Sequence, residues 1–81
     1  MAQANLLSIS VVTPTGILFS GEAHSVIAPG EKGVFEILVN HKPILSLLRR
    51  GELNIDGRFI TIRRGIIKVV HNKIAAIVET S

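Results

Sequence analysis

The chain has 81 residues, a formal net charge of +3, 47% hydrophobic side chains and no cysteine. That length holds one domain, residues 1–81, and excludes a second core with its linker; the missing cysteines exclude a disulfide framework and any thiolate metal site. Residues 1–41 carry one lysine against three glutamates, and residues 42–81 carry eight basic against three acidic side chains, an imbalance that suits anionic lipid heads or nucleic acid but is more simply explained by a solvated strand face.

Isoleucine and valine supply 20 residues, and Trp and Tyr are absent, a bias toward strands. The first charged side chain is Glu22, yet Gln3, Asn5, Ser8, Ser10, Thr13, Pro14 and Gly16 interrupt the stretch before it. Neither a membrane-spanning helix nor a leader with a basic start is expected there. Leu7, Ile9 and Val11 alternate with Ser8 and Ser10, the two-residue period of a half-buried strand. Thr13-Pro14-Thr15-Gly16 then reads as a tight hairpin with Gly16 free to take positive φ. Ile17 to Ser20 restarts a strand, and Ala23 to Ala28 reads as the third, ended by an exposed loop over Pro29-Gly30-Glu31-Lys32-Gly33.

From Gly33 the chain runs through a strand in which Phe35 and Ile37 face inward, opposite Val34, Glu36 and Leu38. Pro43 has no N–H to give a ladder and belongs at a corner where the chain leaves one sheet for another. Ile44 to Leu48 is too short to separate a strand from a helical turn. Glu52 to Ile55 pairs with Phe59 to Ile62 across Asp56-Gly57-Arg58, with Phe59 expected in the core; Asp-Gly is a strong hairpin signal. Ile66 to Val70 and Ile74 to Glu79 form the last pair about His71-Asn72-Lys73. Short strands at regular intervals, without intervening helices, predict an all-β fold: a flattened antiparallel β-sandwich of about ten short strands. A domain this small is near the margin of stability, and its apolar surplus predicts hydrophobic surface left for a partner.

Chemistry has few carriers. His24, His41 and His71 lack cysteine partners and any familiar metal spacing, so no metal is expected. Leu18-Phe19-Ser20-Gly21 lacks the leading glycine of a nucleophile elbow, and Gly30-Glu31-Lys32-Gly33 lacks the length and hydroxyl of a phosphate loop. The carboxylates sit near turns, away from any nucleophile and base, so no catalytic site and no cofactor or small-molecule substrate is expected. A small basic barrel that binds RNA or an acidic protein is the alternative of a different class. Arg49, Arg50, Arg58, Arg63, Arg64 and Lys68 suit phosphates, but Phe19, Phe35 and Phe59 are too few to build a stacking platform. A carrier domain with a lysine at a hairpin tip fails because the tight turns hold Asp56-Gly57 and Asn72-Lys73.

Taken in order, Val11-Val12-Thr13-Pro14, Leu18-Phe19-Ser20-Gly21-Glu22, Val26-Ile27-Ala28-Pro29-Gly30, Gly33 with Phe35 and Ile37-Leu38, His41 with Pro43-Ile44-Leu45, and Gly51-Glu52-Leu53 resemble the epsilon subunit of the rotary F-type ATP synthase. The resemblance implies a non-catalytic rotor subunit in the central stalk. It would join the gamma subunit to the c-ring and help couple ion-driven rotation to ATP synthesis, peripheral to the cytoplasmic face of a bacterial inner membrane or the equivalent side of an organelle membrane. No nucleic acid is expected as a partner. It also implies that Glu31, Lys32, Gly33 and Val34 face the c-ring, and that His41, Pro43, Leu45 and Ser46 face gamma, with Thr13 at the same end. The family usually has glycine where Glu36 stands, Pro-Gly where Val39-Asn40 stands, and often an acid at position 34. Most members continue into a two-helix hairpin that restrains hydrolysis, whereas these residues end at Ser81, which implies coupling without that restraint.

Overall fold

The computed structural model describes residues 6–80, so Gln3, Asn5 and Ser81 lie outside it. The described elements are nine strands: β1 (Leu7–Thr13), β2 (Gly16–Ala23), β3 (Ser25–Gly30), β4 (Gly33–Leu38), β5 (Ile44–Leu48), β6 (Gly51–Ile55), β7 (Arg58–Ile62), β8 (Arg64–Val70) and β9 (Lys73–Glu79). This is the flattened all-β fold that the periodicity predicts. In β9, Ile74, Ala76 and Val78 are buried while Lys73, Ala75, Ile77 and Glu79 are exposed, the strict alternation of a strand with one face on a core.

One continuous nine-stranded sheet curls into two layers. The order β2-β1-β9-β8-β5 makes the first layer, β4-β3-β6-β7 the second, and the Gly30–Leu48 bridge joins them. Both layers feed a single core that includes Leu7, Ile9 and Val11 of β1, Ile37 of β4, Leu53 and Ile55 of β6, Ile67 and Val69 of β8, and Val78 of β9. Among the described residues no polar or charged side chain is buried, so the interior is purely apolar and its strength is burial and close packing. Where the layers' edges approach, the Arg58 guanidinium of β7 lies 5.7 Å from the centre of the Phe19 ring of β2. The pairing is antiparallel except between β1 and β9, which run parallel from Ser8–Lys73 to Val12–Ile77. Parallel neighbours require a long crossover, and here the crossover is the whole intervening chain.

Ile44 to Leu48 is a strand, paired along its length with β8. Pro43 stands at the expected corner: β4 pairs with β3 in the second layer, and β5 pairs with β8 in the first. Four expectations are corrected. The first concerns the break between β2 and β3. It falls at His24, not at Gly21-Glu22, because β2 keeps pairing with β1 as far as Leu7–Ala23. Second, Pro29 and Gly30 belong to β3, and the loop shrinks to Glu31-Lys32 between the paired Gly30 and Gly33. Third, Gly16 is not at positive φ. Pro14 fixes the φ of the first central position of that turn in the negative range, and the register shift between Val11 and Val12 takes up the mismatch.

The fourth correction is Phe59, which is 61% exposed rather than in the core. Asp56 and Gly57 both have positive φ, 49° and 88°, the two-residue turn that best matches strand twist. That turn sets Arg58 opposite Ile55 and Phe59 opposite Asn54, so Ile60 and Ile62 point inward and Phe59 outward.

Gly65 marks the tightest approach in the first layer. A Cβ there would lie 2.6 Å from the Ile77 carbonyl oxygen and 2.9 Å from Val78 Cγ1, so backbone would have to move. Gly65→Ala is therefore expected to lower the unfolding free energy by about 1–3 kcal/mol, read as a lower urea midpoint at unchanged slope.

Candidate functional site

Two ends and one broad face of the slab hold the candidate surfaces. Each is placed by the ladders. The Gly30–Leu48 and Leu48–Gly65 pairs, with Val12 opposite Ile77, bring four connections to one end: Thr13–Gly16, Glu31-Lys32, Arg49-Arg50 and Arg63. The opposite end gathers His24, the 39–43 corner, Asp56-Gly57 and His71-Asn72.

At the first end the Glu31-Lys32 turn is tied down by its own backbone. The Glu31 N–H donates to the Leu47 carbonyl at 2.9 Å, and the Arg49 N–H donates to the Pro29 carbonyl at 2.9 Å. A shallow groove of about 590 Å³ runs between Glu31, Lys32, Gly33 and Val34 on one side and Leu45, Ser46 and Leu47 on the other. It brings the four hairpin residues together with two of the residues assigned to the other partner surface. Val34 is 73% exposed.

At the second end His41 and Pro43 share a small cavity with Asn40, Lys42, His71 and Asn72. Asn40 has φ 68° and Asn72 φ 63°, the left-handed region that asparagine tolerates best after glycine. The Asn40 N–H donates to Asn72 Oδ1 at 2.6 Å, and Asn72 Nδ2 donates to Asn40 Oδ1 at 3.2 Å. Two connections far apart in the chain are thus clasped side by side, and Asn40 supplies the left-handed corner. The His41 ring is held too, with Nδ1 2.7 Å from the Lys42 carbonyl oxygen. Thr13 is not at this end. The β1–β9 register carries it to the Glu31 end, while Leu45 and Ser46 lie midway along β5.

Asp56 fixes the same end from the second layer. Its Oδ2 accepts from the His24 N–H at 2.9 Å and its Oδ1 from the Ser25 N–H at 3.0 Å. The His24 N–H bond, the largest cause, holds the carboxyl below its ordinary value of 3.8, against a partial desolvation that works the other way. Among the described residues no group of three or more His, Cys, Asp or Glu comes together to hold a metal ion.

The broad face is the surface that strand-by-strand reading misses. Ile17, Val12, Ile77, Ile66 and Leu47 stand directly opposite one another across β2, β1, β9, β8 and β5. They form one apolar row over the full width of the first layer's outer face, with Ile77 56% and Leu47 53% exposed; Leu45, also exposed, lies one step along β5. A signal exists in the sequence. Val11-Val12, Leu47-Leu48, Ile66-Ile67 and Ile77-Val78 are apolar doublets, and in a strand a doublet puts one side chain on each face.

The family model described as the ATP synthase delta/epsilon chain, β-sandwich domain, matches residues 6–81. The chain is similar to the ATP synthase epsilon chain of a Nitratiruptor species, with 41% identity over 78 residues, 90% of this chain and 60% of that one. The ATP synthase epsilon chain of Leptospira interrogans serovar copenhageni is 38% identical over 78 residues, 83% of this chain and 61% of that one. The chain thus spans about three-fifths of the length of these relatives. Among solved structures, a chain of the Euglena gracilis mitochondrial ATP synthase, in its OSCP/F1/c-ring assembly, superposes with a TM-score of 0.84. It has 12% identity and covers 96% of this chain and 53% of that one. A chain of the Tetrahymena thermophila mitochondrial ATP synthase central stalk/c-ring gives 0.75 at 15% identity, covering 90% of this chain and 63% of that one. At these identities the likeness is one of fold.

Two outcomes follow from the clasped end. Asn72→Ala is expected to lower stability by about 1–2 kcal/mol, since alanine loses the clasp and tolerates the left-handed backbone less well; Asn72→Gly, measured by the same denaturant titration, should recover part of the loss. Asp56→Asn should lower the melting temperature at neutral pH. Because the folded carboxyl titrates below its unfolded value, its contribution is full above about pH 3.8 and is lost as the pH falls through the depressed value. Melting curves of the two proteins should therefore converge in acid.

Proposed function

Because the chain belongs to the family of ATP synthase delta/epsilon-chain β-sandwich domains, we propose that it serves as a non-catalytic rotor subunit of the central stalk, joining the gamma subunit to the c-ring. Ion-driven rotation of the ring then passes through it toward ATP synthesis. The observation that carries this reading is the apolar row Ile17–Val12–Ile77–Ile66–Leu47. A water-facing stripe across five strands is unfavourable in a free monomer and is what a stable partner surface would cover. Paired ladders over a close-packed core deform little, which suits a part that transmits torque.

In this reading gamma lies lengthwise along the outer face of the first layer. It would touch His41 and Pro43 at the clasped end, Leu45 midway, and the apolar row with Thr13 at the far end; Ser46, opposite buried Ile67, turns its side chain to the inner face of β5, so gamma would reach it only through its backbone. Thr13 and His41 belong to the same partner while standing at opposite ends of it. Glu31, Lys32, Gly33 and Val34 would rest on the c-ring, where exposed Val34 offers an apolar contact beside the charged pair. The chain is then peripheral to the membrane, on the cytoplasmic face in a bacterium or the equivalent side in an organelle.

Retention on a detergent-solubilised gamma–c-ring assembly tests the proposal. The chain should be retained, and Ile77→Glu and Leu47→Glu should each bind gamma about tenfold weaker or worse, with melting temperatures unchanged because both side chains face water in the free chain. Undiminished retention of both variants would refute this face as the gamma surface. Absence of retention, together with salt-sensitive binding to RNA, would replace the rotor reading with that of a basic binding module.

A further inference from the structure

We infer that the Glu31 end recognises a carboxylate-bearing protein segment through Arg49, Arg50 and Arg63; the inference deepens, and rests on, the reading of that end as ring-facing. Five basic side chains converge there, Lys32, Arg49, Arg50, Arg63 and Arg64, against Glu31, Glu52 and Glu79. Three carboxylates offset five cations only in part. Glu79 is committed to Arg64, whose Nε donates to Glu79 Oε1 at 3.0 Å. Among the described residues Arg49, Arg50, Arg63 and Lys32 have no ion-pair partner, and all four are exposed.

The backbones of Arg49 and Arg63 are fixed while their guanidinium groups are free of ion pairs. The Arg49 N–H is bonded to the Pro29 carbonyl and the Arg63 N–H to the Glu79 carbonyl at 2.7 Å. Arginine ordered at its root needs less ordering to grip a ligand, and its planar fork matches a carboxylate with two parallel bonds.

The shape separates a protein segment from a lipid surface. Two grooves of about 430 Å³ each flank the base of the hairpin, and Arg49 lines both. One is lined by Leu47, Ile66 and Ile77 with Arg64 and Glu31; the other runs past Val34 and Phe59 with Arg50 and Glu52, and Arg63 stands outside both. Apolar linings in which two arginines outnumber one glutamate fit a chain that alternates acidic with apolar side chains. A plane of headgroups would meet the rims and leave the floors empty. The first groove is also continuous with the apolar row through Ile66 and Ile77, so an acidic segment of the ring and gamma would share one edge.

The probe is a short peptide alternating glutamate with leucine, titrated into isotope-labelled protein. Amide shifts should centre on Leu47, Arg49, Arg50, Arg63 and Ile66, and a glutamine-for-glutamate peptide should bind about tenfold weaker or not at all. Arg49→Glu combined with Arg63→Glu should lose the acidic peptide and gain a lysine–leucine peptide, a reversal that an unfolded variant cannot give. Equal binding of the glutamine peptide, shifts centred elsewhere, or preferential capture by phosphatidylglycerol vesicles would overturn the inference. Retention on the gamma–c-ring assembly is measured beside it. An assembly that holds the chain while the peptide fails leaves the rotor reading standing and removes the carboxylate site; the reverse result removes the rotor reading and with it the ring as the source of the segment, and leaves the carboxylate site itself.

Discussion

Backbone pairing along β2, β1, β9, β8 and β5 decides which side chains stand opposite one another, and side chains alternate between the two faces except at the register shift of β2 opposite Val11 and Val12. A slip of one residue in any of these strands would therefore exchange its core set for its outer set. Val78, Ile67, Leu48 and Val11 are buried in one register; their neighbours Ile77, Ile66, Leu47 and Val12 are aligned on the outside by that same register. Both halves of each doublet are apolar, so alternation alone protects the register weakly here. Close packing supplies the remainder: Gly65 fits against the Ile77 carbonyl with no room for a Cβ, and a shifted strand would drive a side chain into that contact.

The same pairing divides the molecule's surfaces by chemistry. One face is apolar, one end is rich in unpaired arginine, and the other end is locked by polar contacts of its own, the Asn40–Asn72 clasp and the Asp56 bonds to His24 and Ser25. The two surfaces meet along one edge, where Leu47, Ile66 and Ile77 belong both to the apolar row and to a groove that Arg49 lines, so a partner attracted by charge and a partner attracted by apolar area would abut there. The interior, free of buried polar side chains among the described residues, adds no specificity and leaves recognition to the outside.

Much of this was legible in the residues. The Asp56-Gly57 and His71-Asn72 turns, the corner at Pro43 and the inward set of Phe35 and Ile37 follow from turn chemistry and a period of two. Misreadings arose where a local signal met a longer constraint. Gly21 and Glu22 look like a break, but β1 holds β2 through them; Pro29-Gly30 looks like a loop, but β4 pairs with both. Phe59 looks like core because it is aromatic, yet the two-residue turn counts it outward. Assigning Thr13 to the end of His41 failed for a different reason, since the parallel pairing of β1 with β9 has no local mark in either strand.

Composition and alternation by themselves determined that this chain forms a strand-only fold with a Val/Ile core, its tight turns, and an excess of apolar side chains that the core cannot absorb. The tertiary structure alone decided where that excess goes and where the arginines meet. Strand order and register are set by hydrogen bonds between residues far apart in the chain. A row such as Ile17–Val12–Ile77–Ile66–Leu47, or the meeting of Arg49 with Arg63, exists only once those ladders have formed.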